Sequence, residues 1–80
     1  MASRAKGPAW EERAARFLKA ELKRANVTYD ELAARLKKHH GMVETKASIA
    51  NKLSRGTFAA TFFLASLASL GVENVRLEDV

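Results

Sequence analysis

No cysteine occurs in this 80-residue chain, and that constrains it more than any other single feature. A domain this small leaves much of its surface in water, so without disulfides it stays folded only through efficient apolar packing. The same absence excludes thiolate zinc fingers, iron–sulfur sites, thiol catalysis and a secreted disulfide scaffold, and it fits a reducing, cytoplasmic compartment. Apolar residues make up 48% of the chain, enough for a globular core. There is length for one domain, over residues 8–80, preceded by a loose basic arm at 1–7 that carries Arg4 and Lys6. The longest uncharged run, Gly56 to Val72, is broken by threonines and serines and is too short to span a membrane. The opening MASRAKGPAW has charge but no apolar segment, so it does not read as a signal peptide.

Charge is distributed unevenly. Residues 1–55 hold 13 basic and 6 acidic groups, and residues 56–80 hold 1 basic and 3 acidic. One part of the chain is a cation, and the other is apolar and slightly acidic. A basic part on a small domain points to a polyanion as partner.

Four helical segments follow one another. The first starts near Pro8, has Glu11 and Glu12 early, and repeats Trp10, Ala14, Phe17, Leu18, Leu22 and Ala25 as an apolar stripe up to Asn26. Arg13, Arg16, Lys19 and Lys23 occupy its other side. The second has the sharpest local signature, the capping box Thr28-Tyr29-Asp30-Glu31 with Val27 and Leu32 at the staple positions, and it fades at His39-His40-Gly41. The third has Thr45 as its N-cap residue, an inner face of Ile49, Ala50 and Leu53, and Gly56 at its end. The fourth runs from about Thr57 or Phe58 to Gly71, with Phe63, Leu64, Leu67 and Leu70 taken as its inner face, which leaves Phe58 and Phe62 to one side. Phe17, Leu18, Leu22, Leu32, Leu36, Ile49, Leu53, Phe63, Leu64 and Leu67 form the expected core, with Trp10 beside them. In the tail, Val75 and Leu77 alternate with Asn74, Arg76 and Glu78, which suits either a short strand needing a partner or an irregular segment returning to the core.

Over Glu21–Val72 this succession resembles the phage-repressor-type (Cro and C1 repressor-like, XRE-type) helix-turn-helix domains. The residues that carry the resemblance are Glu21-Leu22-Lys23-Arg24-Ala25-Asn26-Val27-Thr28, Glu31-Leu32-Ala33, Ile49-Ala50-Asn51-Lys52-Leu53-Ser54-Arg55-Gly56 and Leu64-Ala65-Ser66-Leu67-Ala68-Ser69-Leu70-Gly71-Val72. The chain is also similar to a group of short uncharacterised bacterial proteins. The resemblance implies an all-α, lambda-repressor-like fold of four to five helices with a short extended C-terminal tail. Two departures stand out: the stretch between Ala33 and Ala50 is longer than the family's tight turn, and Ser54 stands where many members have an acid.

In such a fold the third helix meets double-stranded DNA. A helix fits the major groove and reads base edges from its N-terminal half. With Ile49, Ala50 and Leu53 in the core, Lys46, Ser48 and Asn51 are placed at bases, and Lys52 and Arg55 at phosphates together with Arg35 and Lys38 of the second helix. Pairing into a homodimer doubles the site, and the uncharged surface of Phe58, Phe62, Val75 and Leu77 offers the interface. The expectation is a cytoplasmic transcriptional regulator with no cofactor, metal or small-molecule substrate. The alternative is a protein-interaction module that uses the same apolar surface without DNA. No serine–histidine–acid spacing, glycine-rich phosphate loop or paired acid among apolar residues points to catalysis. Adjacent His39 and His40 do not converge on one ion from a helix.

Overall fold

A computed structural model of the chain describes residues 9–80, so the basic arm lies outside the described residues. The domain is all-α: α1 (Trp10–Ala25), α2 (Tyr29–His40), α3 (Lys46–Arg55) and α4 (Ala60–Ser69), followed by a 3-10 turn at Leu77–Asp79. Among the described residues there is no strand.

Local chemistry fixes the helix ends. In α1, Glu11 and Glu12 lie in the first turn and Lys23 and Arg24 in the last, each favourable to the helix dipole. The helix stops at Asn26, which takes φ +58, and Val27 N–H donates back to the Leu22 carbonyl at 3.0 Å. Val27 is buried immediately before the capping box of α2. There Glu31 N–H donates to Thr28 Oγ1 at 3.1 Å and Thr28 N–H donates to Glu31 Oε1 at 2.8 Å. The backbone N–H of Thr28, then its side chain, hold the Glu31 carboxyl below the usual range. The turn out of α2 is closed by Met42 N–H donating to the Leu36 carbonyl at 3.1 Å, and an irregular stretch then leads to Thr45.

Leu18, Leu22, Leu32, Leu36, Ile49, Leu53 and Leu67 are buried as the apolar stripes predict, joined by Ala15, Val27 and Phe62. Burying side chains of this kind contributes roughly 1.5–3 kcal/mol each. α3 packs on both α1 and α2, and α4 on α2 and α1.

The phase of α4 differs from the sequence expectation. Phe62 is only 2% exposed and belongs to the core, whereas Leu64 is 61% exposed and points away from it. The inner face is Phe62, Ser66 and Leu67, with Phe63 and Leu70 half-buried. Without a charged residue in this helix, only packing decides which side turns inward. Small Ser66 lies on that inner side. The helix also starts at Ala60, later than Thr57 or Phe58.

One further expectation is corrected, and one open alternative is decided. Trp10 is 58% exposed, because it is the first residue of α1 and has the Arg13 guanidinium over its ring at 3.9 Å in place of core neighbours. Of the two readings of the tail, the irregular return is the one observed: residues 72–76 have no regular secondary structure, and Arg13 Nε donates to the Val80 backbone oxygen at 2.9 Å.

Candidate nucleic-acid interface

The surface expected to meet DNA is the outer side of α3. Ile49 and Leu53 sit one turn apart and are fully buried, which orients the whole helix. Lys46, Ala47, Asn51, Ser54 and Arg55 are left exposed. Lys46, Asn51 and Arg55 make no side-chain hydrogen bond or ion pair among the described residues. Ala47, which sequence reasoning passed over, lies on this face near the helix start, where a short side chain lets a partner approach the backbone.

Ser48 and Lys52 take other roles. Thr45 and Ser48 form a second capping box: Ser48 N–H donates to Thr45 Oγ1 at 3.0 Å, and Thr45 N–H donates to Ser48 Oγ at 2.9 Å. The Ser48 hydroxyl donates to Glu44 Oε1 at 2.6 Å. Lys52 Nζ donates to the same oxygen at 3.0 Å, with the Lys52 and Glu44 side chains 26% and 10% exposed. The ammonium also lies 5.5 Å from the centre of the Phe62 ring. Ser48 is therefore a cap rather than an open reader of bases. Lys52 has its charge matched by Glu44 rather than facing solvent as a phosphate contact.

Arg35 is also engaged. Its guanidinium donates to the Ser69 carbonyl at 3.0 Å, tying α2 to the last turn of α4. Cations are favoured at such a helix end. Lys38 stays exposed in the last turn of α2.

A shallow cavity of about 300 Å³ brings Arg16 and Lys19 of α1 beside Ser54 and Arg55 of α3, with Glu11 and Glu12 also on its wall. The sequence places Arg13, Arg16, Lys19 and Lys23 on the side of α1 away from the apolar stripe without assigning them a role. Their signal was the recurrence of cations every three or four residues, but only the packing of α1 on α3 puts two of them next to Arg55.

The aromatic surface assigned to pairing is mostly closed within one chain. Phe58 and Phe62 meet edge to face at 5.5 Å, Phe58 and Phe63 stack at 5.9 Å, and Phe17 and Phe63 lie at 6.3 Å. Phe62 is core, so it is not an interface residue, and Phe58 and Val75 are half-buried. Leu77 alone of the four is open, at 74%. His39 and His40 are exposed, and among the described residues no three His, Asp or Glu side chains cluster as metal ligands would.

A family model described as a domain of unknown function (DUF6471) matches residues 10–75, from the start of α1 into the extended tail. No curated protein and no solved structure matches the chain.

Proposed function

The chain belongs to that family of domains of unknown function, and we propose that it binds double-stranded DNA through α3, as a homodimeric transcriptional regulator in the cytoplasm. One observation carries this reading. Asn51 and Arg55 stand exposed on the side of α3 opposite the anchors Ile49 and Leu53, and Lys46 stands exposed at the helix start. Asparagine can pair with adenine in bidentate fashion and lysine can reach guanine, so Asn51 and Lys46 take the base edges. Arg55, with Lys19 across the shallow cavity, takes phosphates, and exposed Lys38 of α2 is a further phosphate contact in this reading. The chain's net charge of +5 and its resemblance to phage-repressor-type domains support the same assignment.

Fluorescence anisotropy with a random duplex tests it. Phosphate binding by several cations weakens steeply between about 50 and 200 mM salt. Selection of preferred sites from random duplexes then gives the sequence read by Asn51 and Lys46. Absence of binding at low salt from a folded sample overturns the proposal. The protein-interaction alternative draws support from Leu64, exposed on the uncharged α4, and association there would respond little to salt.

A further inference from the structure

A second concave surface lies on the other side of α1, between that helix and the returning C-terminal segment. It encloses about 630 Å³, within the range of roughly 300–1,000 Å³ typical of small-molecule sites. Its floor is apolar: Phe17, Val72 and Val75 line it and pack onto the core. Its cations are Arg13, Arg16, Arg24 and Arg76, and no lysine lines it, although lysines are plentiful elsewhere on the chain. Arg13, Arg16 and Arg24 recur on one side of α1 together with Phe17 and Ala20, and Arg76 comes from the opposite wall.

We infer that this groove binds a small organic anion with an apolar body, its charged head held by the guanidinium groups and its body on Phe17 and Val75. A planar guanidinium offers forked donors that match a carboxylate, sulfonate or phosphate in a way an ammonium does not. Glu21 and Asp79 also line the groove and Glu78 pairs with Arg76 beside it, so the four guanidinium groups exceed the side-chain carboxylates by one. Arg16 has no ion-pair or hydrogen-bond partner among the described residues. Arg24 pairs with Glu21, whose side chain is only 12% exposed, so that pair stays in place, whereas Arg76 and Glu78 are both about two-thirds exposed, and a pair of that kind exchanges for a ligand at little cost. Arg13 is the fixed member, donating to the Val80 backbone oxygen and stacked on Trp10. The apolar floor distinguishes this site from the α3 surface, and the inference does not rest on DNA binding.

Two dyes test it: 8-anilinonaphthalene-1-sulfonate and N-phenyl-1-naphthylamine, which share an aromatic body and differ in the sulfonate. The expected result is saturable binding of the sulfonate dye at one per chain, at least tenfold tighter than the neutral dye. The R24A/R76A variant should bind it about tenfold more weakly. K23A/K37A, which removes the same charge outside the groove, should match the parent. If R24A/R76A proves unfolded by circular dichroism, R76A alone, outside the four α-helices, makes the same comparison. Equal binding of the two dyes, parent-like binding by the arginine variant, or an equal loss in K23A/K37A overturns the inference.

Discussion

Gly56 meets the backbone of Glu11 so closely that a Cβ on it would lie 2.4 Å from the Glu11 carbonyl oxygen and 2.8 Å from the carbonyl carbon. This contact joins the end of α3 to the first turn of α1, and it occurs at φ +74, where L side chains are strained even in open space. Gly56→Ala therefore incurs both backbone strain and overpacking against a helix backbone that cannot swing aside. A loss of about 2–4 kcal/mol is expected. Gly41 supplies the comparison, because its φ is +62 but nothing stands within 4 Å. Gly41→Ala should lose only about 1 kcal/mol. Urea melts of both variants check this, and equal losses would mean that α1 and α3 do not approach so closely at Gly56.

Ser66 is fully buried on the inner face of α4, and its Oγ has no hydrogen-bond partner among the described residues. By contrast, Ser69 turns its hydroxyl back to the Ala65 carbonyl at 2.9 Å. Replacing an unsatisfied buried hydroxyl by a methyl group removes a desolvation cost and leaves little cavity. Ser66→Ala should leave stability unchanged or raise it by about 1 kcal/mol. A clear loss on thermal melting would show that the hydroxyl is bonded.

What was legible in the sequence was either local or marked by charge. The Thr28–Glu31 capping box, the Thr45 N-cap and the stops at Asn26 and Gly56 depend on residues within one turn of each other, and all stand where the pattern puts them. In α1, α2 and α3 cations mark the outer side, so Leu18, Leu22, Leu32, Leu36, Ile49 and Leu53 were identifiable as core. α4 has no such mark, and Phe62 and Leu64 exchange places there. The candidate interface follows the same rule. Lys46, Asn51 and Arg55 are exposed as the spacing predicts, but Lys52 and Arg35 find partners in Glu44 and in the Ser69 carbonyl, contacts that helical periodicity does not encode. The capping role of Ser48 was missed because a serine at the third helical position is a weaker signature than glutamate, although here it closes the same reciprocal pair.

Glu31 gives a pH dependence with a definite sign. Hydrogen bonds from Thr28 favour its charged form, so its folded-state pKa lies below that of the unfolded chain. The stabilisation is fully present above the unfolded carboxylate pKa and is lost as pH falls through the lowered folded value. Glu31→Ala should therefore be less stable than the parent near pH 7, and the gap should narrow as pH falls to about 3. Urea midpoints across that range check it; a gap independent of pH would assign the effect to helix propensity rather than to the charged cap.

Lys52 and Arg55 separate a structural cation from a DNA-binding one. Lys52→Ala leaves the Glu44 carboxylate, itself only 10% exposed, with the Ser48 hydroxyl as its remaining hydrogen-bond donor. That should lower stability by about 1–3 kcal/mol. Arg55 is exposed and unpaired among the described residues, so Arg55→Ala should leave the melt nearly unmoved. On duplex DNA the order should reverse, with Arg55→Ala flattening the salt slope by roughly one unit and Lys52→Ala changing it less. Anisotropy titrations at several salt concentrations measure both slopes. A larger flattening for Lys52→Ala would place its ammonium on a phosphate after all.

Self-association, where it occurs, should use the outer face of α4. This helix carries no charged residue, and Leu64 is exposed on it between exposed Ala60 and Ala68. The positive charge is concentrated in residues 1–55, so two copies repel least where uncharged surfaces of the C-terminal part meet. Pairing there removes apolar area from water. With Phe62 committed to the core, Leu64 replaces it as the side chain on which pairing depends. Leu64→Glu adds charge at an already exposed position, so folding should survive and association should not. Sedimentation equilibrium at high micromolar protein should find the parent at twice the 8.8 kDa chain mass and the variant at the chain mass itself. A parent that stays at the chain mass rules out the dimer, and a variant that still doubles moves the interface away from α4.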